Sequence, residues 1–109
     1  MGLVTSSAAT NNHNLYFSKD ELSKILNLYS KGVSTGEWKD YAIDFKNNDA
    51  FFYIFKHTLA SPECILNKTF ERKKRKIFYN LKSKSLNKKF ENLDLLLSSL
   101  NRKILKLVN

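Results

Sequence analysis

The chain has 109 residues, enough for one domain with one hydrophobic core and too few for two. Hydrophobic residues make up 42% of it and aromatics 13%, which excludes a chain too polar to fold; with three Gly and one Pro, its turns must be built from Asn, Asp, Ser and Lys. The formal net charge of +9 is unevenly held: residues 1–55 carry 5 basic and 6 acidic side chains, residues 56–109 carry 14 and 4.

Residues 1–15 are mainly Ser, Thr, Ala and Asn without periodicity and read as a disordered leader; residues 16–109 read as a single α+β domain. Ser18-Lys19-Asp20-Glu21 is a capping box, with Phe17 and Leu22 placed as a hydrophobic staple. Leu22, Ile25, Leu26 and Tyr29 follow at helical spacing, and Gly32 with Val33 fits a Schellman stop, predicting a helix over about 19–31. The period then drops to 2: Tyr41, Ile43 and Phe45 alternate with Asp40, Ala42 and Asp44, as in a strand with its aromatic side turned inward. Lys46 to Asp49 is turn chemistry, and Ala50 to Lys56 reads as a second strand, apolar on both faces and therefore central.

Pro62 breaks the chain, after which Cys64 to Phe70 and Lys76 to Lys82 read as strands, the latter with Ile77, Tyr79 and Leu81 inward. Ser83-Lys84-Ser85 turns into a short fifth strand ending near Phe90. Leu93, Leu96, Leu97, Leu100, Ile104 and Leu107 form one stripe of a C-terminal helix, with Asn92 as N-cap and Arg102, Lys103 and Lys106 near its negative end. The expected fold is an N-terminal helix, an antiparallel sheet of four to five strands and a C-terminal helix, both helices on one face.

The run Leu22 to Tyr29 followed by Gly36-Glu37-Trp38-Lys39-Asp40-Tyr41-Ala42-Ile43-Asp44-Phe45 resembles an alphaproteobacterial family, domain of unknown function 2794. The resemblance extends from about Phe17 to Val108 and is most specific over Gly36 to Phe45. It implies a bacterial, cytoplasmic protein and brings no catalytic residues and no cofactor. The single Cys64, without a disulfide partner, reads as a reduced thiol packed as a small hydrophobe, which agrees with that compartment. No apolar run approaches the ~20 residues of a membrane helix. The myristoylation pattern at Met1 to Ser6 and the glycosylation pattern at Asn67 to Thr69 read as coincidences.

For catalysis the sequence offers little. His57 stands alone, so no metal set is predicted, and no glycine-rich phosphate loop exists. Glu37, Trp38, Asp40 and Asp44 read either as a small acidic surface site walled by the indole or, preferably, as a solvated face whose carboxylates pair with lysines such as Lys56. The charge is more telling. Arg72, Lys73, Lys74, Arg75 and Lys76 fill one turn, and Lys82, Lys84, Lys88 and Lys89 surround the next, suggesting one basic rim with Phe78 on an open sheet face to stack a base. The expectation is a non-catalytic nucleic-acid-binding module; the alternative is a protein-interaction module or homodimer using an exposed apolar sheet face.

Overall fold

The computed structural model describes residues 15–57 and 60–108, and the side chains up to Ile104; the side chains of Lys106 and Leu107 in the terminal helix, and the leader up to Asn14, lie outside them. The elements run α1 (Lys19–Ser34), β1 (Asp40–Lys46), β2 (Asp49–Phe55), β3 (Cys64–Glu71), β4 (Lys76–Ser83), β5 (Asn87–Phe90) and α2 (Leu93–Val108). The five strands form one antiparallel meander in chain order, with β1 and β5 at the edges. The fold is α+β, as expected.

Both helices cover the same face of the sheet. Ile25 and Leu28 of α1 and Leu93, Leu96, Leu100 and Ile104 of α2 share one core with Phe52, Ile54, Cys64, Leu66 and Leu81. Lys24 bonds Asp94 at 3.1 Å and Lys31 bonds Asn101 at 3.3 Å; the equal sequence offset means that the two helices run parallel. Burial of the Cys64 thiol, 2% exposed beneath α2, pushes its pKa up to about 11.

Local chemistry sets the helix ends. The Glu21 amide donates to Ser18 Oγ at 3.1 Å and the Ser18 amide to Glu21 Oε1 at 2.7 Å, completing the capping box. Leu95 N donates to Asn92 Oδ1 at 2.9 Å, so Asn92 caps α2. Leu15, assigned to the leader from sequence, is tied down by donating to the Asn47 carbonyl at 3.0 Å.

The stop of α1 corrects the sequence reading. Gly32 lies within the helix, and the Schellman bonds form one turn later, Gly36 N to Val33 O at 3.0 Å and Glu37 N to Gly32 O at 2.9 Å. Gly36 supplies the left-handed residue, at φ 82°. Gly32 serves a different end: a Cβ there would collide with the Trp38 ring packed against it.

The aromatic side of β1 also departs from expectation. Tyr41, Ile43 and Phe45 share the helix-side face with Ile54, Phe52 and Ala50, their register partners, yet remain 40%, 37% and 38% exposed. Alternation gives the face and not the depth: β1 is the sheet edge, and two helices do not cover five strands to their margins. Tyr41 stacks on Phe52 at 5.0 Å and meets Tyr29 edge-on at 5.0 Å, so the row is anchored without being enclosed.

Candidate nucleic-acid interface

The face of the sheet away from the helices is the site's floor. Alternation along the strands places Phe51, Tyr53 and Phe55 of β2, Ile65, Asn67 and Thr69 of β3, Lys76, Phe78, Asn80 and Lys82 of β4, and Asn87 and Lys89 of β5 on it. The rings of Phe51 and Tyr53 lie nearly parallel, with centroids 5.8 Å apart and planes at 14°. They border a depression of about 300 Å³ whose other walls are Ile65, Asn67, Asn80, Lys82 and Asn87. The Asn80 amide nitrogen donates to Asn67 Oδ1 at 3.0 Å, while Asn67 Nδ2 donates to Asp49 Oδ1 and to the Ala50 carbonyl, both at 3.2 Å. The sequence reading missed this depression. Its only sequence signal is the alternation of Asn67 and Asn80 with apolar neighbours, together with the second apolar face of β2.

The basic residues do not form one rim. The turn Arg72 to Arg75 joins β3 to β4 and the turn through Lys84 joins β4 to β5, so the two lie at opposite ends of an eight-residue strand, ~25 Å apart. Successive turns of a meander must alternate ends, whatever their composition. Lys82 and Lys84 therefore stand at the far end. Lys89, on the returning strand, rejoins the first cluster, while Lys88 faces the helix side above Phe90 at 5.7 Å.

Phe78 is not an open platform. It does point away from the helices, but it is only 6% exposed, because Lys89, Lys74 and Lys76 place their ammonium groups 4.0, 5.3 and 5.8 Å from its ring centre. Three cations share one aromatic floor through cation–π attraction. Lys89 pairs with Glu71 at 2.5 Å and Lys76 with Glu91 at 2.8 Å; the bond from Lys76, then its charge, hold the Glu91 carboxyl below its usual pKa. Among the described residues no carboxylate lies within ion-pairing distance of Arg72, Lys73, Lys74, Arg75, Lys82, Lys84 or Lys88. Arg75 holds the turn in a left-handed conformation at φ 52°.

The acidic and aromatic group comes apart. Trp38 is 4% exposed, packed on Gly32 and Tyr29; with Glu37 it lines only a small depression of about 10 Å³, to which Asp40 and Asp44 do not contribute. Glu37 pairs with Lys56 at 3.8 Å and Asp44 with Lys46 at 3.9 Å. Asp40 and Asp44 accept from the Tyr41 and Phe45 amides at 2.8 and 2.9 Å.

On the helix side, a second group missed in the sequence joins α1 to the sheet. Lys68, 8% exposed, donates to Glu21 Oε1 at 2.7 Å and to the Tyr16 carbonyl at 2.9 Å, and the Tyr79 hydroxyl donates to Glu21 Oε2. Burial raises the Glu21 pKa, but the bonds from Lys68, Tyr79 and the Ser18 amide outweigh it and hold the carboxyl below its usual value. Burial, and then the bond to Glu21, push the Tyr79 hydroxyl upward. A matched ion pair that also caps a helix is structural chemistry.

Among the described residues no group of three His, Cys, Asp or Glu is placed to hold a metal, and no helix is long and apolar enough to cross a membrane. A cleft of about 450 Å³ between the helices is lined by Lys24, Asp94, Lys31, Asn101 and neighbours. Comparisons with curated proteins and with solved structures find no match. The family model for Protein of unknown function (DUF2794) matches residues 15–93, which is α1, the whole sheet and the first residue of α2, and the chain belongs to that family.

Proposed function

We propose that the chain is a non-catalytic binding module for single-stranded nucleic acid in the bacterial cytoplasm, with the strand laid along β4 on the open face of the sheet. The observation that carries this reading is the pairing, on one face, of a parallel aromatic pair in a polar depression with a cluster of cations around Phe78. Phosphates suit Lys74, Lys89, Arg72, Lys73 and Arg75 at one end and Lys82 and Lys84 at the other. Bases suit Phe51 and Tyr53, since stacking tolerates any base, and the Asn80 and Asn87 amides offer polar contacts to their edges. The six-residue interval from Lys76 to Lys82 is ~20 Å, the reach of a few nucleotides.

Fluorescence anisotropy near physiological ionic strength tests the proposal, with single-stranded RNA, single-stranded DNA and duplex DNA compared. Single strands are expected to bind at micromolar protein, with log K falling against log salt at a slope of about −3 to −5 for four to six phosphate contacts. Tyr53→Ala should weaken single strands several-fold and leave duplex binding nearly unchanged. No binding at micromolar protein refutes the proposal.

A further inference from the structure

The two edges of the sheet are unlike. β5 is four residues long and carries Lys88 and Lys89, the length and charge that discourage strand addition. β1 is seven residues long, without Pro or Gly, and its helix-side row of Tyr41, Ile43 and Phe45 is exposed. The two-residue loop Asn47-Asn48 closes on the Lys46–Asp49 pair, so Tyr41, Ile43 and Phe45 turn their amides away from β2. Asp40 and Asp44 occupy the first and last of these, and the Ile43 amide stands between them.

We infer that β1 is the contact between two copies of this chain, paired antiparallel about a twofold axis through Ile43. The sequence of β1 is complementary to itself in this register. Asp40 faces Lys46 of the other copy, Tyr41 faces Phe45, Ala42 faces Asp44 and Ile43 faces its own counterpart. The charged pair falls on the open face, and the aromatic and isoleucine pairs fall on the helix side, where both copies expose apolar surface. Neighbouring registers that preserve the faces do worse. An axis through Ala42 sets Asp40 against Asp44, and an axis through Asp44 sets that carboxylate against itself, both like-charge oppositions.

Pairing releases the two aspartates from the edge amides, which take carbonyls of the other copy, and frees Asp40 to reach Lys46. Because those amides are already satisfied in the single chain, the gain is modest, and a dissociation constant of about 10–100 µM is expected, as for small interfaces. The product is a ten-stranded sheet whose two open faces are continuous. This inference does not rest on nucleic-acid binding, which uses side chains of β2 to β5 on the open face and not the backbone edge of β1.

Sedimentation equilibrium of the full chain from about 5 µM to 1 mM, in low and high salt, tests it. Ile43→Lys sets two ammonium groups against each other on the axis and should abolish the dimer. Asp40→Lys and Lys46→Glu, at exposed positions, should each loosen it about tenfold by opposing like charges, and the double swap should return it to within about threefold. Circular dichroism melts establish that each variant is folded. A monomer at 1 mM overturns the inference, as does a dimer indifferent to Ile43→Lys. Failure of the double swap to recover overturns the register, and so the inference as stated. A monomer whose Tyr41, Ile43 and Phe45 amides resist hydrogen exchange also overturns it, giving the edge to the chain's own first 14 residues.

Discussion

The Glu21 carboxylate accepts from the Ser18 amide and Lys68 through one oxygen and from the Tyr79 hydroxyl through the other. Its pKa is held below the usual 4.5, so between the two values the unfolded chain binds the proton that the folded chain refuses. The resulting stabilisation is complete above about pH 5 and is lost as pH falls through the folded value. Glu21→Gln should therefore flatten the acid limb of a stability–pH curve, most visibly below the usual value of 4.5. At neutral pH, Glu21→Ala should cost about 3 kcal/mol, since it strands the Lys68 ammonium in the protein; adding Lys68→Met should recover much of that loss in urea melts. Ser18→Ala, which removes only the cap, should cost about 1 kcal/mol, and Ser23→Ala on the exposed flank of α1 close to nothing. At Gly32 the outcome reverses the usual helix rule. Gly→Ala inside a helix ordinarily stabilises by up to about 1 kcal/mol, whereas here the added methyl must displace the Trp38 indole. A loss of about 2 kcal/mol with red-shifted tryptophan emission is expected.

At the scale of elements, starts are more legible than stops. The start of α1 is written in four consecutive residues, Ser18 to Glu21, and can be read without knowing what surrounds it. Its stop is not, because Gly32 and Gly36 are both credible C′ residues and the choice is made by Trp38, which folds back from beyond the helix to claim Gly32. Strand alternation likewise assigns Tyr41, Ile43 and Phe45 to the correct face but cannot say that β1 is marginal, since that depends on sheet order. The basic cluster is legible as composition and misleading as geometry: residues 72–76 and 82–84 are close in sequence and separated by the length of β4. The lysines over Phe78 come from the β3–β4 turn (Lys74), from the start of β4 (Lys76) and from the next strand (Lys89), a convergence that only the register reveals. The β3–β4 turn offers a test that separates fold from function. Arg75 sits in a left-handed conformation that glycine adopts more readily, so Arg75→Gly should raise stability by about 1 kcal/mol. If the turn contacts phosphate, the same variant should lower nucleic-acid affinity and reduce the salt slope by about one. Thermal melts and anisotropy on one preparation read both effects.

Across the whole molecule, charge and apolar surface are segregated. The basic second half supplies β3 to β5, with the cation cluster at one end of their hairpins, and the near-neutral first half supplies α1, β1 and β2 with the exposed aromatic edge. Replacing Arg72, Lys73 and Lys74 by Ala should flatten the salt dependence of binding by roughly one unit for every phosphate no longer held, whereas replacing Lys19 and Lys24 of α1 should do much less. The matched family region ends as α2 begins, yet α2 contributes Leu93, Leu96, Leu100 and Ile104 to the core and roofs the central strands. Cys64, at the start of β3, lies under that roof beside Leu100, Lys103 and Ile104, with its thiol pushed up to about 11 from 9.0. A two-unit rise leaves about a hundredth of the ordinary thiolate, and burial denies a reagent even that. The sulfur is thus a native stopwatch for lid opening: at pH 8 an aromatic disulfide reagent should modify it only as fast as α2 lifts, at a rate that climbs with urea. Labelling as rapid as in the unfolded chain would mean that the roof stands open in solution.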